Sequence, residues 1–157
     1  MAQRFQPEEM VQQMADAFSE AAVECARHDF KVELDWTDRS IEAVEDILES
    51  LHLSLAAKKS TSHDVATYSK MFGSYVGEVF RRNHGATWGV VTLNGTSVPG
   101  LKQQSTGDLF WPWGRVENRL TNGPEENVWN YYESLLEPPQ SNPSSHPRGW
   151  WSRIFGQ

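Results

Sequence analysis

The residues best suited to chemistry lie close together near the middle of the chain. Glu78, Arg81 and Arg82 are followed by His84 within one short stretch. A carboxylate, two guanidinium groups and an imidazole can together bind an anion or transfer a proton. The same charges can instead form an ion pair that anchors one helix to its neighbours. This structural role is favoured, because paired charges on a central helix are commonly architectural.

Other signatures of catalysis are missing from the sequence. The segment FGSYVG lacks the glycine spacing of a nucleophile elbow and lies inside a predicted helix. The five histidines show no HExxH spacing, and one cysteine cannot build a structural zinc site. There is no glycine-rich phosphate-binding loop. We therefore expect no metal, no cofactor and no catalytic residue, and the sequence favours a protein without enzymatic activity.

The Glu78 cluster must be positioned by a central helix that ends at His84, before the C-cap residue Gly85. At 100° per residue, the apolar side chains of this helix cover a broad arc, which is typical of a helix packed against more than one neighbour. They are Val65, Tyr68, Phe72, Tyr75, Val76, Val79 and Phe80. Gly73 and Gly77 lie one turn apart at the edge of this arc, so we expect another element to pack closely there. Both glycines and Trp88 belong with the Glu78 cluster to one candidate interaction or structural site.

Two helices are predicted before the central one. The first covers about residues 7 to 27, with Pro7 in its first turn. Its expected core face repeats at helical spacing through Met10, Met14, Phe18, Ala21, Ala22 and Cys25. Alternation in FKVELDW predicts a short extended segment. The second helix covers about residues 39 to 56 after a run of N-capping residues.

The second helix carries an acidic face formed by Glu42, Glu45, Asp46 and Glu49. Two interpretations are open. Such a face is usually just solvated, and this is the favoured interpretation. The alternative is a docking surface for a basic partner, because complementary charge steers association.

A small antiparallel sheet and two helices follow the central helix. Alternation around Trp88 and the dipeptide Asn94-Gly95 predict a β-hairpin. Pro99 and Gly100 predict a bulge or an edge strand, and a third strand is expected near residues 108–111. One helix is then predicted from Pro112 and another from Pro124. The predicted fold class is α+β: three N-terminal helices, a small antiparallel sheet and a C-terminal helical pair. Arg115 and Arg119, on the helix that begins at Pro112, are candidates to join the Glu78 cluster.

Composition divides the chain into one domain and two shorter segments. We predict a domain over residues 1–137, a Pro/Ser-rich linker over 138–149 and an aromatic-basic tail over 150–157. The candidate contact residues of the tail are Trp150, Trp151, Arg153 and Phe155. The tail is expected to dock on the domain or on another molecule, and self-docking is favoured.

The charge balance limits the classes of partner. The chain has 157 residues, with 14 basic against 21 acidic side chains and a net charge of −7. This charge opposes binding to nucleic acid or anionic membranes and favours a basic protein partner. Cys25, the only cysteine, excludes an internal disulfide and is expected to be an inert core thiol. With no signal peptide or apolar run long enough to span a bilayer, the sequence predicts a cytoplasmic protein.

Three segments resemble, in order and spacing, a widespread family of small uncharacterised bacterial proteins. The segments are LDWTDRSIEAVEDIL at 34–48, GSYVGEVFRRNHGATW at 73–88 and PWGRVENRLTNGPEENVWNYYESL at 112–135. In the family, an LDYS-x-x-S helix start precedes a GAY-x-GE-x-x-RR-x-x-GG-x-W core and a closing P-x-x-x-V-x-x-R-L-x-x-G helix pair. Here Trp36 replaces the tyrosine, Ser74 the alanine and Ala86 the second glycine. The resemblance covers most of residues 30–137 and implies bacterial origin and the family's fold. Some members look like accessory or immunity-type proteins encoded near secretion or toxin systems.

Two hypotheses for function follow. The favoured one is a non-catalytic cytoplasmic protein-interaction module, of immunity type or accessory to secretion. The alternative is a small enzyme or ligand-binding domain that uses Glu78, Arg82 and His84. An enclosed polar cavity around these three side chains would favour the alternative, and a filled interior would favour the interaction module.

Overall fold

The computed structural model describes residues 3–58 and 62–137, which form an α+β fold as predicted. Its helices are α1 (Glu9–Phe30), α2 (Ser40–Lys58), α3 (Ser62–His84), α4 (Pro112–Asn122) and α5 (Val128–Leu136). Its strands are β1 (Arg4–Pro7), β2 (Ala86–Leu93), β3 (Thr96–Gln103) and β4 (Leu109–Phe110). The predicted linker and tail, residues 138–157, lie outside the described residues.

Helix α3 is the central element, as its broad apolar arc predicted. It packs against α1 and α4, and the side chains of Phe72, Tyr75 and Val79 are fully buried. The helix ends where Gly85 adopts φ +88°, and the Gly85 N–H donates to the Arg81 carbonyl at 3.0 Å. This left-handed residue lets the chain turn directly into β2.

The sheet is antiparallel, with strand order β1-β2-β3-β4. The predicted Asn94-Gly95 hairpin is confirmed, since both residues have positive φ, at 54° and 80°. Of the two alternatives predicted at Pro99 and Gly100, the bulge is not formed, because the register between β2 and β3 runs without interruption from one end of the hairpin to the other. The edge strand is wrong from Leu101 onward, where β3 also pairs with β4. Pairs alternate between hydrogen-bonded and non-hydrogen-bonded from the turn outward, so the Pro99–Val90 pair needs no N–H from proline. Strand β4 pairs only with Leu101 and Lys102.

The first strand was not predicted. Pro7 was expected in the first turn of a helix, but residues 4–7 instead pair with β2, from Arg4 opposite Thr92 to Pro7 opposite Gly89. Helix α1 therefore starts two residues later, at Glu9. Proline is tolerated in β1 because this is an edge strand of the sheet.

The predicted core face of α1 is confirmed only at Ala22, which is fully buried. Met10 is 66% exposed, and Met14, Phe18 and Cys25 are only half-buried. The buried residues of this helix are Val11, Ala15, Ser19, Ala22, Val23 and Ala26. These mostly small side chains allow α1 to pack closely along α3, while the larger side chains lie on its flank.

The segment FKVELDW is not a strand. Helix α1 continues to Phe30, and residues 31–35 have no regular secondary structure. Lys31 and Trp36 adopt positive φ angles of 58° and 66°. The segment crosses to the C-terminal half of α3, where the Trp36 N–H donates to the Tyr75 hydroxyl at 2.9 Å.

The C-terminal helical pair is present, with one correction. Pro112 begins α4 and Gly123 follows its last residue, as predicted. Pro124, however, begins a single 3-10 turn that ends at Glu126, and α5 starts at Val128. Asn127 caps α5 by accepting a hydrogen bond from the Asn130 N–H at 2.9 Å.

Candidate functional site

Gly73 and Gly77 mark two close approaches to α3. A Cβ atom on Gly73 would lie 2.7 Å from the Trp113 Cα, and one on Gly77 would lie 2.4 Å from the Trp88 ring. No real Cβ contact is this short, so both positions require glycine. The two glycines therefore let α4 and β2 pack directly on α3.

Glu78 is the buried charge in this region, and its side chain is fully inaccessible to solvent. Its two carboxylate oxygens accept hydrogen bonds from donors on α1, α3 and β2. The donors are Arg81 Nε at 2.7 Å and Nη2 at 3.0 Å, Trp88 Nε1 at 2.9 Å, Gln12 Nε2 at 3.3 Å and Arg82 Nε at 3.4 Å. A carboxylate with this many donors is fully satisfied by the fold itself.

The protonation state of Glu78 follows from these contacts. Burial by itself would raise the pKa of its carboxyl group, but the hydrogen bonds from Arg81 and Trp88 outweigh burial and lower the pKa to about 2. The group therefore stays ionised at neutral pH. A general acid or base needs a pKa near the working pH, so Glu78 is poorly suited to proton transfer.

Arg82 and His84 do not meet Glu78 around a shared cavity. The Arg82 guanidinium reaches Glu78 only at 3.4 Å and lies over the Trp36 ring, 3.7 Å from its centroid. His84 is engaged elsewhere, with its Nε2 2.9 Å from an Asp38 carboxylate oxygen. The predicted cluster is therefore divided into a buried centre at Glu78 and a half-exposed corner at Asp38.

The Asp38 corner holds the start of α2 against the end of α3 and against α5. The Asp38 carboxylate accepts hydrogen bonds from the Tyr132 hydroxyl and from Asn83 Nδ2 as well as facing His84. Burial would raise the pKa of Asp38, but the hydrogen bonds from Tyr132 and His84 outweigh burial and lower the pKa. Burial and the neighbouring Asp38 carboxylate raise the pKa of Tyr132, so its hydroxyl keeps the proton and donates a hydrogen bond to Asp38. Among the described residues, no hydroxyl or thiol hydrogen-bonds to the His84 ring, so the corner lacks a paired nucleophile.

Glu45 does not belong to an exposed acidic face, contrary to the prediction. It is buried against α4 and α5, where it accepts from Arg119 Nη2 at 2.8 Å and from the Val128 N–H at 2.9 Å. The sequence contained the signal, because Glu45 lies four residues after Ile41 and three before Leu48, within the apolar arc of α2.

Arg115 and Arg119 do not join the Glu78 centre either. Arg119 is 1% exposed and binds Glu45 and Glu49. Arg115 pairs with Glu126 at 2.5 Å. Arg119 therefore links α4 to α2, and Arg115 links α4 to the 3-10 turn that follows it.

The other three acidic residues of α2 lie on one line with an exposed leucine, which was not singled out from the sequence. Glu42 and Asp46 are exposed, Glu49 is half-exposed, and Leu53 is 62% exposed. Their spacings of four, three and four residues place them along one side of the helix. We call Glu42, Asp46, Glu49 and Leu53 the α2 stripe.

A shallow pocket of about 300 Å³ lies on the outward face of the sheet. It is lined by Phe5, Pro7, Thr87, Lys102, Gln103 and Gln104. None of these residues belongs to the Glu78 centre, the Asp38 corner or the α2 stripe. Among the described residues, the lining of the pocket includes no carboxylate or imidazole that could act as an acid or base.

Cys25 has no features of a reactive thiol. Burial and the neighbouring Asp29 carboxylate raise the pKa of its thiol to about 11, so it stays protonated at neutral pH. Within residues 3–58 and 62–137, no group of three or more His, Cys, Asp and Glu side chains could hold a metal ion. In the same residues, no helix combines the length and the apolar character needed to cross a bilayer.

A crystal structure of a protein from Bacteroides thetaiotaomicron VPI-5482 is similar to this chain, with a TM-score of 0.56 and 17% sequence identity. The match covers 87% of this chain and 48% of that protein, so the chain spans about half the length of its structural neighbour. No protein-family model matches the chain, and no curated protein matches its sequence. The similarity therefore shows the fold alone, and function has to be inferred from the residues themselves.

Proposed function

We propose that the chain is a non-catalytic protein-interaction module that binds a basic protein through the α2 stripe. The observation that carries the proposal is Leu53, a large apolar side chain left 62% exposed in line with three acidic residues. An apolar side chain rimmed by charge is typical of a contact surface. The net charge of −7 adds long-range attraction for a basic partner and repels nucleic acid and anionic membranes.

The enzyme or ligand-binding alternative has less support. It requires Glu78, Arg82 and His84 to converge on one cavity. Instead, Glu78 is enclosed by protein donors, and His84 faces Asp38 on another side of α3. The charges most suggestive of chemistry in the sequence thus have structural partners.

The biological role that we propose is that of an immunity-type or secretion-accessory protein in the cytoplasm of a bacterium. The support for this finer proposal is the family resemblance of segments 34–48, 73–88 and 112–135. A lone cysteine suits a reducing compartment. The family assignment itself stays a prediction.

The test is affinity capture with the full chain and two charge-matched variants. The stripe variant, Glu42→Lys with Asp46→Lys, reverses the charge of two side chains of the α2 stripe. The α1/α4 variant, Glu20→Lys with Glu117→Lys, makes the same change in net charge at exposed positions on α1 and α4. Mass spectrometry should find a basic protein that the wild type and the α1/α4 variant retain and the stripe variant loses. Retention should fall with added salt, because exposed charges are screened. An identical set of captured proteins for all three chains would contradict the proposal.

A further inference from the structure

The aromatic-basic tail and the residues before it complement the α2 stripe in charge and in apolar character. Residues 138–157 contain Arg148 and Arg153 and no acidic residue. They also contain four large apolar side chains: Trp150, Trp151, Ile154 and Phe155. The stripe offers the opposite charge mainly in Asp46, because Glu49 is shared with Arg119 at 3.4 Å and Glu42 lies 3.8 Å from the exposed Arg39. Leu53 adds an exposed apolar contact.

The path of the chain brings the tail close to this surface. The Val128 N–H binds Glu45 in the middle of α2, and the Tyr132 hydroxyl binds Asp38, just before α2 begins. Helix α5 therefore runs antiparallel to α2 and points past its N-terminal end. The described chain reaches Glu137, so an extended connection to Trp150 covers up to about 45 Å. The stripe is only about 16 Å long, at 1.5 Å per helical residue.

We propose that the aromatic-basic tail docks on the α2 stripe of its own chain. Arg153 pairs with Asp46, and the tryptophans cover Leu53. Tethering raises the effective concentration of the tail to the millimolar range, so that weak contacts suffice. The tail and a basic partner then compete for the same face, and the free chain is autoinhibited.

Two other exposed apolar surfaces fit the tail less well. The pocket on the sheet is bordered by Lys102, which repels arginine. Met10 is exposed near the start of α1, whereas α5, which leads into the tail, packs against α2 and α4. Both surfaces serve as internal references in the test below.

The test places a nitroxide spin label on the tail of the full chain, at Ser152→Cys in a Cys25→Ala background. The expected result is loss of amide peak intensity in NMR spectra at Asp46, Glu49 and Leu53, with peaks near Met10 and Lys102 retained. Arg153→Glu should restore the lost peaks. Adding Asp46→Arg to that variant should remove them again, because the charge pair is rebuilt in the opposite sense.

A second measurement needs no label and keeps Cys25. Amide chemical shifts along the stripe should change when Arg148→Glu and Arg153→Glu are introduced into the full chain, while those near Lys102 should not. Uniform broadening from the label, or broadening centred on Met10 or Lys102, would overturn the inference. Broadening between separate labelled and isotope-enriched chains would also overturn it, because the occupant would then be a second copy.

The inference rests on the proposed function only for the competition with a partner. The NMR measurements use the chain alone, so they report on the tail whether or not a partner is captured. A chain that shows tail contacts but captures no partner would contradict the proposed function and leave the docking intact. A chain that captures a partner through the stripe but shows no tail contacts would support the proposed function and contradict the docking of the tail.

Discussion

Glu78 on α3 and Asp46 on α2 are both carboxylates in long helices, yet they differ completely in burial. Glu78 is fully buried among donors from three elements, whereas Asp46 is exposed on the α2 stripe. A buried charge must be paired to be tolerated, and once paired it fixes the elements around it. An exposed carboxylate contributes little to stability and remains available to a partner. Burial therefore separates an architectural charge from one suited to recognition.

The largest expected effect comes from breaking the packing that encloses Glu78. Gly77→Leu should destabilise the domain by roughly 3 kcal/mol or more, because even a Cβ at this position would overlap the Trp88 ring. Thermal unfolding followed by circular dichroism measures the effect. Ala17→Leu places the same side chain at an exposed position on α1 and should leave the melting temperature almost unchanged. Equal melting temperatures for both variants would show that Gly77 is not closely packed.

The next effect compares a buried and an exposed acidic residue of α2, Glu45 and Glu42. Glu45→Gln should lower the free energy of unfolding by about 3 kcal/mol, because it leaves the buried Arg119 without most of its counter-charge. Glu42→Gln, one turn away on the exposed side, should change it by about 0.5 kcal/mol or less. Urea unfolding of both variants makes the comparison. Similar losses of stability in both variants would contradict the difference in burial between Glu45 and Glu42.

A smaller loss is expected at the Glu78 centre. Glu78→Gln removes the counter-charge of Arg81 and Arg82, whose side chains are each about one-third exposed. Water can stabilise the released guanidinium groups, so the loss should be about 2 kcal/mol. Asp46→Asn makes the same chemical change on the stripe and should be nearly neutral in urea unfolding. A variant with full stability but no partner binding would instead make Glu78 a functional residue.

The contribution of Glu78 should also depend on pH in a defined direction. Its pKa is about 2 in the folded state against 4.5 for the ordinary carboxyl group. At acidic pH the unfolded chain therefore binds the proton first, which destabilises the fold as pH falls. The contribution should be complete above pH 4.5 and disappear as pH falls towards 2. Urea unfolding across this window should show the difference between wild type and Glu78→Gln narrowing as pH falls. A constant difference would contradict the lowered pKa.

Periodic patterns predicted the elements whose packing is local. The arc of α3, the Asn94-Gly95 turn and the start of α4 at Pro112 all depend on residues close in sequence. Strand β1 could not be found in this way. It has four residues and includes a proline, and its partner β2 lies more than eighty residues further along the chain.

The sites were harder to predict than the fold. On α1, large side chains such as Met10 gave a stronger hydrophobic signal than Ala15 and Ala26, but close packing on α3 selected the small ones. The ion pair between Glu45 and Arg119 joins residues 74 positions apart, so no local pattern identifies the partner. The sequence did place Glu78, Arg81 and Arg82 together, because helical spacing alone brings them within reach.

The most direct test of the account measures stability and partner retention together in two variants of the full chain. Glu78→Gln should lose stability and still retain the captured basic protein at a temperature where it is folded. Glu42→Lys with Asp46→Lys should keep the free energy of unfolding within about 0.5 kcal/mol of the wild type and lose that protein. The opposite pattern, in which Glu78→Gln loses binding and the stripe variant preserves it, would contradict the central claim. That claim is that Glu78 stabilises the fold and that the α2 stripe binds the partner.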